Sequence, residues 1–433
     1  MALSSPINRR TLFALGASVS AAALLSSCST NPQTGQAEAG EAALKLWIWP
    51  EGFGDKVLAN VEKEFPAIHT QQIIQGGDFK QKLQTALQAG SNLPNITGIK
   101  GEDIAYFTSL GDYFVDLNTL GAEKYKDKYV SWKWKEATTE DGKQLGIPID
   151  IGPTALFYRF DIFERLGLTS DPQKLSAQIR QWDAFITLGK KMLEASPDTY
   201  LVRNLPAVFE IAWKQSGQGF ISPEGKFIGE QPHIHDAWAT AISVHEAGIN
   251  AALTPNTPDV AAKVAEGKLP ADFGASWHLI DLKVDAPDTK GKWHVCHHPG
   301  KPTNNGGSFL GIPAKATKHD EAFKVITEIL NAENLALEYA HSGNFPANTK
   351  AFDLPEITAP VEFLGGQVAS KVFSEAAKNI LPLYEHPLSS TLRDPFYAEL
   401  TLVEAENKDP HKAWDDALKR AKKLARQNEI VVA

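Results

Sequence analysis

Aromatic and carboxylate side chains follow two of the predicted strands. Trp49, Glu51 and Phe53 come after the first strand, and Glu102 and Asp103 come directly after the third. A neutral sugar packs its C–H face on aromatic rings, and carboxylates are strong acceptors for its hydroxyls. In open α/β sheets, residues at strand ends line the ligand crevice. These residues are therefore candidates for sugar contacts, and the alternative is that Trp49 is a core residue and Glu51 a solvated turn residue.

Three other residues stand out by their surroundings. Asp150 is flanked by isoleucines, and a carboxylate in such a strand favours a ligand role because an unpaired buried charge is costly. Trp277 follows the small residues 274–276, which let a ligand approach the backbone, so we expect its ring to stack on the ligand. Trp213 lies on a predicted helix and is balanced between a ligand contact and core packing.

Alternating strands and helices must position these side chains. The C-terminal helix is predicted to begin at Pro410 with Asp409 as its cap. Short strands separated by helices indicate an α/β protein, and we expect its sheets to be largely parallel. The predicted strands are 44–49, 71–74, 96–99, 143–148 and 155–159, and the predicted N-terminal helices are 57–65 and 78–90.

Composition excludes several classes of protein. The chain has 433 residues, enough for two or three domains, and its 43% hydrophobic and 22% charged residues are ordinary for a globular protein. A net charge of −9 argues against nucleic-acid binding. No Walker or dinucleotide motif is present, and the residues 296–298 (CHH) offer no fourth ligand for a metal. We therefore expect no cofactor, no metal and no nucleic-acid partner.

The N terminus has the pattern of a lipoprotein signal. Arg9 and Arg10 precede the uncharged run 12–25, whose last residue begins a Leu-Ser-Ser-Cys sequence ending at Cys28. We predict a signal peptide over 1–27, acylation (palmitate) of Cys28, and a flexible tether over 28–40. The alternative is a hydrophobic helix of the fold. Residues 8–13 also resemble a twin-arginine export signal, although other export signals carry arginine pairs too.

Several segments, taken in order, resemble the extracellular solute-binding proteins of carbohydrate ABC importers, relatives of maltose-binding protein. Asn95 stands where that family usually has Asp, and residues 269–272 (LPAD) also depart from its pattern. The resemblance covers about 350 residues in all. The segments are 46–52 (LWIWPEG), 76–83 (GGDFKQKL), 93–96 (LPNI), 142–153 (GKQLGIPIDIGP), 156–159 (LFYR), 265–268 (AEGK), 276–277 (SW), 306–313 (GGSFLGIP) and 345–347 (FPA).

The resemblance implies a two-lobe periplasmic-binding-protein-like α/β fold with hinge strands and a central ligand cleft. It implies lobe one over 41–152 plus 304–345, and lobe two over 153–303 plus 346–433. It adds Gly307, Ser308 and Phe345 to the ligand-binding candidates. Arg393 could reach the cleft, but the sequence favours a surface ion pair there. The implied protein is a monomer, lipid-anchored on the extracytoplasmic face of the membrane, that captures a carbohydrate and delivers it to permease subunits of an ABC importer.

A different class of function stays open on the residues alone. An exported glycoside-cleaving enzyme would also need a sugar-lined cleft, and Glu51 or Glu102 paired with Asp150 would supply its two carboxylates. The resemblance and the lipoprotein signal favour the binding protein, which we expect to have no catalytic residues. A peptide or metal binder on the same fold is the third possibility.

Overall fold

The computed structural model describes residues 43–50, 52–72 and 78–432. The predicted signal peptide, the tether, Cys28 and Glu51 therefore lie outside the described residues. Among the described residues, no helix combines the length and the apolar character needed to cross a membrane.

Strands and helices alternate as predicted, and the strand 155–159 and the start of the last helix at Pro410 agree with prediction residue for residue. The strands are β1 (Leu44–Ile48), β2 (Ile68–Gln72), β3 (Ile96–Ile99), β4 (Gly146–Pro148), β5 (Asp150–Ile151), β6 (Ala155–Arg159), β7 (Ala271–Gly274), β8 (Trp293–Cys296), β9 (Phe309–Gly311) and β10 (Phe345–Pro346). The α-helices are α1 (Asp55–Glu64), α2 (Asp78–Ala89), α3 (Ile104–Thr108), α4 (Ser131–Glu136), α5 (Phe160–Arg165), α6 (Pro172–Gln178), α7 (Trp182–Ala195), α8 (Leu205–Lys214), α9 (Pro232–Glu246), α10 (Pro258–Ala265), α11 (His278–Asp285), α12 (His319–Ile329), α13 (Ala332–Ser342), α14 (Pro355–Thr358), α15 (Ser370–Asn379), α16 (Ser389–Glu406) and α17 (Pro410–Gln427). Short 3₁₀ segments link some of them, at Gly101–Asp103, Gly111–Tyr113, Leu117–Leu120, Ala122–Lys128, Pro287–Thr289, Thr349–Ala351 and Glu362–Leu364.

The first sheet contains five strands in the order β2-β1-β3-β9-β4. β1 pairs in parallel with β2 and β3, whereas β9 runs antiparallel to both β3 and β4. The expectation of largely parallel sheets is wrong, because every other pairing among the described strands is antiparallel. Strand spacing along the chain does not encode direction, and a strand that brings the chain back from the second sheet enters the first from the opposite end.

The second sheet contains three strands in the order β7-β6-β8. All five residues of β6 are buried, which explains its continuous apolar run. Leu156 and Tyr158 face a core formed with the long helices α7, α8, α9, α16 and α17. Phe157, on the opposite face, joins the core that also includes the apolar residues of β1 and β4. The two sheets thus anchor two lobes with shared packing near the crossings between them.

The chain crosses between the sheets at Pro153 and again at Asn304, and the two segments pair there as an antiparallel bridge. The crossings are joined by a hydroxyl–imidazole cluster, in which Thr154 Oγ1 lies 2.9 Å from His298 Nε2 and 2.7 Å from Thr303 Oγ1. His298 Nδ1 lies 2.8 Å from the Pro299 carbonyl, which can only accept, so Nδ1 carries the proton and Nε2 accepts from Thr154. Burial lowers the pKa of His298 to about 4, which keeps the ring neutral.

A second, shorter connection lies beside these crossings. β5 pairs antiparallel with β10, so that Asp150 stands opposite Pro346 and Ile151 opposite Phe345. This two-stranded ribbon ties the end of the first sheet to the segment that follows α13. The lobe boundaries given above remain a prediction.

Candidate functional site

The ring of Trp277 rests against the glycine backbone of the crossings. Trp277 immediately precedes α11 and is half-buried. A Cβ placed on Gly152 would lie 2.3 Å from Trp277 Cη2 and 1.8 Å from the Asn305 carbonyl oxygen, and one placed on Gly306 would lie 3.2 Å from Cη2. The close approach of the ring therefore requires glycine at positions 152 and 306.

Asp150 lies two residues before Gly152, at the start of the ribbon. Its Oδ1 accepts a 2.8 Å hydrogen bond from the Ser308 amide, which commits one carboxylate oxygen to the fold. Burial raises the pKa of Asp150 to about 6, although the Ser308 amide and Lys133 act to lower it. The structure therefore brings Asp150, Ser308, Gly307 and Trp277 together, but the Ser308 amide is already used.

The end of the first sheet brings together a second group of predicted residues. Trp49 is half-buried, meets Phe79 edge-on at 5.7 Å between ring centres, and has Lys100 Nζ at 5.8 Å over its ring. Asp103 is buried and binds Lys80 at 2.8 Å, whereas its neighbour Glu102 is exposed. Trp49 and Asp103 are thus fixed by packing and by an ion pair.

Three predicted ligand contacts occupy core positions instead. Trp213 is fully buried, and its Nε1 donates to the Tyr397 hydroxyl at 3.3 Å. Phe345 is also fully buried, and Phe53 is 4% exposed. These rings pack in the cores and present no free face for stacking, so we do not include them in the site. The sequence around an aromatic residue beside a glycine or on a helix is the same whether its ring faces the core or a ligand.

A row of charged side chains was missed by sequence reasoning. Glu210 and Lys214 on α8 pair at 2.6 Å, and Lys214 also donates to the Asn304 carbonyl at 3.3 Å, which places the pair against the crossing. Burial acts to raise the pKa of Glu210, but Lys214 and Arg393 outweigh it and the pKa is lowered. Arg393 lies 5.8 Å over the Trp213 ring and 4.0 Å from Glu385, so the predicted ion pair is a loose one.

This row continues to the end of the second sheet. Arg203 donates to Asp272 at 2.7 Å, and His278 Nε2 lies 3.3 Å from the same carboxylate. Burial acts against a charged His278, but Asp272 and Asp281 outweigh it and raise its pKa to about 9. The carboxylates of the row are paired with cations, which leaves the region nearly neutral. In the sequence, Glu210 and Lys214 look like an ordinary surface pair because they lie four residues apart on a helix. No sequence signal distinguished them from the exposed pairs of the chain.

Other features of the described residues do not point to a site. A groove of about 970 Å³ runs between α6 and α15, but none of the predicted ligand-binding residues lines it. The part of the chain that the structure describes contains no cluster of three or more metal-ligating side chains. Cys296 is buried and unpaired there, and burial raises the pKa of its thiol.

Known proteins provide an independent comparison. Residues 62–365 match the family model of the bacterial extracellular solute-binding proteins. A lactose-binding protein of Rhizobium radiobacter is 26% identical over 391 residues, 83% of this chain and 86% of that protein. An arabinooligosaccharide-binding protein of Bacillus subtilis (strain 168) is 25% identical over 214 residues, 47% of each chain.

Solved structures show the same fold. An extracellular solute-binding protein of family 1 superposes with a TM-score of 0.83 at 24% identity, covering 89% of this chain and all of that one. A binding protein of Bifidobacterium animalis subsp. lactis, in complex with β-1,6-galactobiose, gives a TM-score of 0.70 at 19% identity over 90% of this chain and 99% of that one. The predicted two-lobe fold and the resemblance are therefore confirmed. The family match spans well over half of the chain, which belongs to the bacterial extracellular solute-binding proteins, a family of binding proteins rather than enzymes.

Proposed function

We propose that the protein captures a carbohydrate, an oligosaccharide of neutral sugars, and delivers it to an ABC importer. The observation that carries this proposal is the half-buried Trp277 ring seated on the glycine backbone of the crossings, on the loop whose Ser308 amide binds Asp150. A flat ring on a glycine loop that also contacts a carboxylate suits the apolar face and hydroxyl rim of a sugar. Relatives named for lactose and arabinooligosaccharides support the same ligand class.

A panel of sugars tests the proposal. Purified mature protein is incubated with lactose, β-1,6-galactobiose, lacto-N-biose I, maltose and an arabinooligosaccharide, and thermal shift and new reducing ends are both measured. We expect at least one sugar to raise the melting temperature, because a ligand that binds only the folded state stabilises it. We expect no new reducing ends after long incubation. Steady release of reducing ends would replace the transport proposal with the glycosidase.

Asp150 provides a pH test of the site. Its raised pKa means that stability from the protonated group is complete below its unfolded pKa of about 4 and is lost as pH rises through about 6. Asp150→Asn should therefore be more stable than the parent at pH 7, by up to about 3 kcal/mol, with the difference shrinking toward pH 4. We also expect weaker sugar binding at pH 7, because charge-assisted bonds to hydroxyls are lost.

Urea unfolding at pH 4.5, 5.5 and 7 measures the first effect, and isothermal titration calorimetry measures the second. Glu102→Gln is the control, because it makes the same kind of change from carboxylate to amide at an exposed position. A variant that is destabilised equally at all three pH values would show that the ionised Asp150 stabilises the fold through Lys133.

Anchoring by Cys28 belongs to the same proposal. Cleavage before Cys28 and its acylation would hold the protein at the extracytoplasmic face of the membrane, and a monomer whose cleft has closed would be recognised by permease subunits. Cys28→Ala should move the protein from the membrane fraction to the soluble extracytoplasmic fraction, as measured by fractionation and immunoblotting. Full membrane retention of this variant would contradict the lipid anchor.

A further inference from the structure

Lys133, on α4, is a fully buried lysine. Its ammonium donates to Glu136 at 2.7 Å, to the Gly307 carbonyl at 2.9 Å and to the Gly306 carbonyl at 3.2 Å. An ammonium has three hydrogens, so these three acceptors account for its donors. Two of the three hydrogen bonds of the buried Lys133 ammonium go to the adjacent carbonyls of Gly306 and Gly307. These bonds help to fix the orientation of that loop.

The peptide geometry then determines where the loop amides point. In a trans peptide the carbonyl and the following N–H point in opposite directions. The Gly306 carbonyl accepts from Lys133 and, at 2.9 Å, from the Asn304 side-chain amide, so the Gly307 N–H points to the other side of the loop. The next peptide obeys the same rule, because the Gly307 carbonyl faces Lys133 while the Ser308 N–H donates to Asp150. Gly306 and Gly307 have φ values of +81° and +86°, which only glycine adopts readily.

The loop lies directly against the proposed stacking ring. Trp277 Cη2 is 3.2 Å from the Cβ position of Gly306. From the other lobe, Lys214 donates to the Asn304 carbonyl at 3.3 Å, so an ammonium from each lobe contacts the segment 304–307. The carboxylates around the site are hydrogen-bond acceptors, and a sugar hydroxyl or ring oxygen also needs donors.

We propose that Lys133 is a positioning residue, which orients the Gly306–Gly307 peptide so that the Gly307 N–H donates to the hydroxyl rim of a sugar stacked on Trp277. This inference rests on the proposed function, because it uses a sugar in this cleft. It adds a main-chain donor to the site and assigns its orientation to a residue that does not touch the ligand. Lys133 acts through the loop, since its own hydrogens are all engaged.

The test compares two lysines on the same helix. Lys133→Met keeps the stem and removes the donors, and Lys135→Met makes the same change at an exposed position. Isothermal titration calorimetry with the sugar that gives the largest thermal shift in the panel should show about tenfold weaker binding for folded Lys133→Met. Lys135→Met should bind as the parent does. Lys133→Gln, which restores one neutral donor, should recover part of the affinity, and it replaces Lys133→Met if that variant does not fold.

Hydrogen exchange of the ligand-free proteins supplies a readout that does not depend on the sugar. The amides of residues 304–308 should exchange faster in Lys133→Met than in Lys135→Met, while amides of β1 and β6 exchange at parental rates. Parental affinity in folded Lys133→Met, or in Lys133→Gln if the former is unfolded, overturns the inference. If the parent protein binds no sugar of the panel, the proposed function is contradicted. The ligand role of Gly307 is then contradicted too, even if the amides of residues 304–308 exchange faster in Lys133→Met than in Lys135→Met.

Discussion

Replacing Trp213 with alanine should lower the free energy of unfolding by about 3–5 kcal/mol, the range for truncating a large buried ring. Trp213 is fully buried in the second core, where its ring meets Phe220 edge-on at 5.4 Å. The change also removes the indole N–H that donates to the Tyr397 hydroxyl, and it removes the ring on which the Arg393 guanidinium lies. Urea unfolding, followed by circular dichroism, measures the loss.

Trp213→Phe is the matched control, because it keeps most of the ring volume and loses the indole N–H, so its cost should be smaller. Binding by the remaining folded protein separates core packing from ligand contact. Folded Trp213→Ala should bind the sugar with parental affinity. If Trp213→Ala instead keeps the parental stability and loses sugar binding, Trp213 is a ligand contact.

Replacing Trp277 with alanine should have the opposite pattern. We expect sugar binding to weaken by about 10–100-fold, because a large flat surface is removed from the proposed site, while stability falls much less than in Trp213→Ala. The ring is half-buried and contacts glycine backbone that has no side chain to collapse into the gap. Isothermal titration calorimetry and thermal melting of the same samples give both numbers.

Trp277→Phe should keep part of the affinity, since a smaller ring still stacks. A melting temperature that collapses in Trp277→Ala, with normal binding by the folded remainder, would identify Trp277 as a core residue. The two tryptophans thus form an internal comparison, in which the same substitution is expected to affect stability at one position and affinity at the other.

The difference between these two tryptophans shows how far the sequence can predict the site. Trp277 was chosen for its small neighbours at 274–276, but the glycines that its ring contacts are Gly152 and Gly306, which lie elsewhere in the sequence. Trp213 lies on α8, where its orientation depends on contacts with Phe220, Tyr397 and Arg393 that are distant in sequence. The local sequence pattern around Trp213 cannot predict such contacts.

The same distinction applies to the fold. The strand 155–159 could be predicted because its apolar run and flanking proline are local, and Asp409 caps α17 by accepting from the Lys412 amide, which its spacing indicated. The direction of the strands could not be predicted from the sequence, because the position of β9 between β3 and β4 depends on how the chain returns from the second sheet. Lys133 was missed for a similar reason, since its partners at 306 and 307 are far along the chain.

The cluster that joins the crossings has a consequence for the response to salt. Thr154, Thr303 and the neutral His298 carry no charge, so mobile ions have little there to screen. At physiological ionic strength the Debye length is about 8 Å, and the partly exposed ion pairs of the charged row, such as Lys214 with Glu210, weaken as salt is added. The connection at Thr154, Thr303 and His298 should therefore keep the same strength from dilute buffer to brine, while the ion pairs of the charged row weaken. Added salt is therefore expected to act on the charged row and to leave the uncharged connection between the two sheets unchanged.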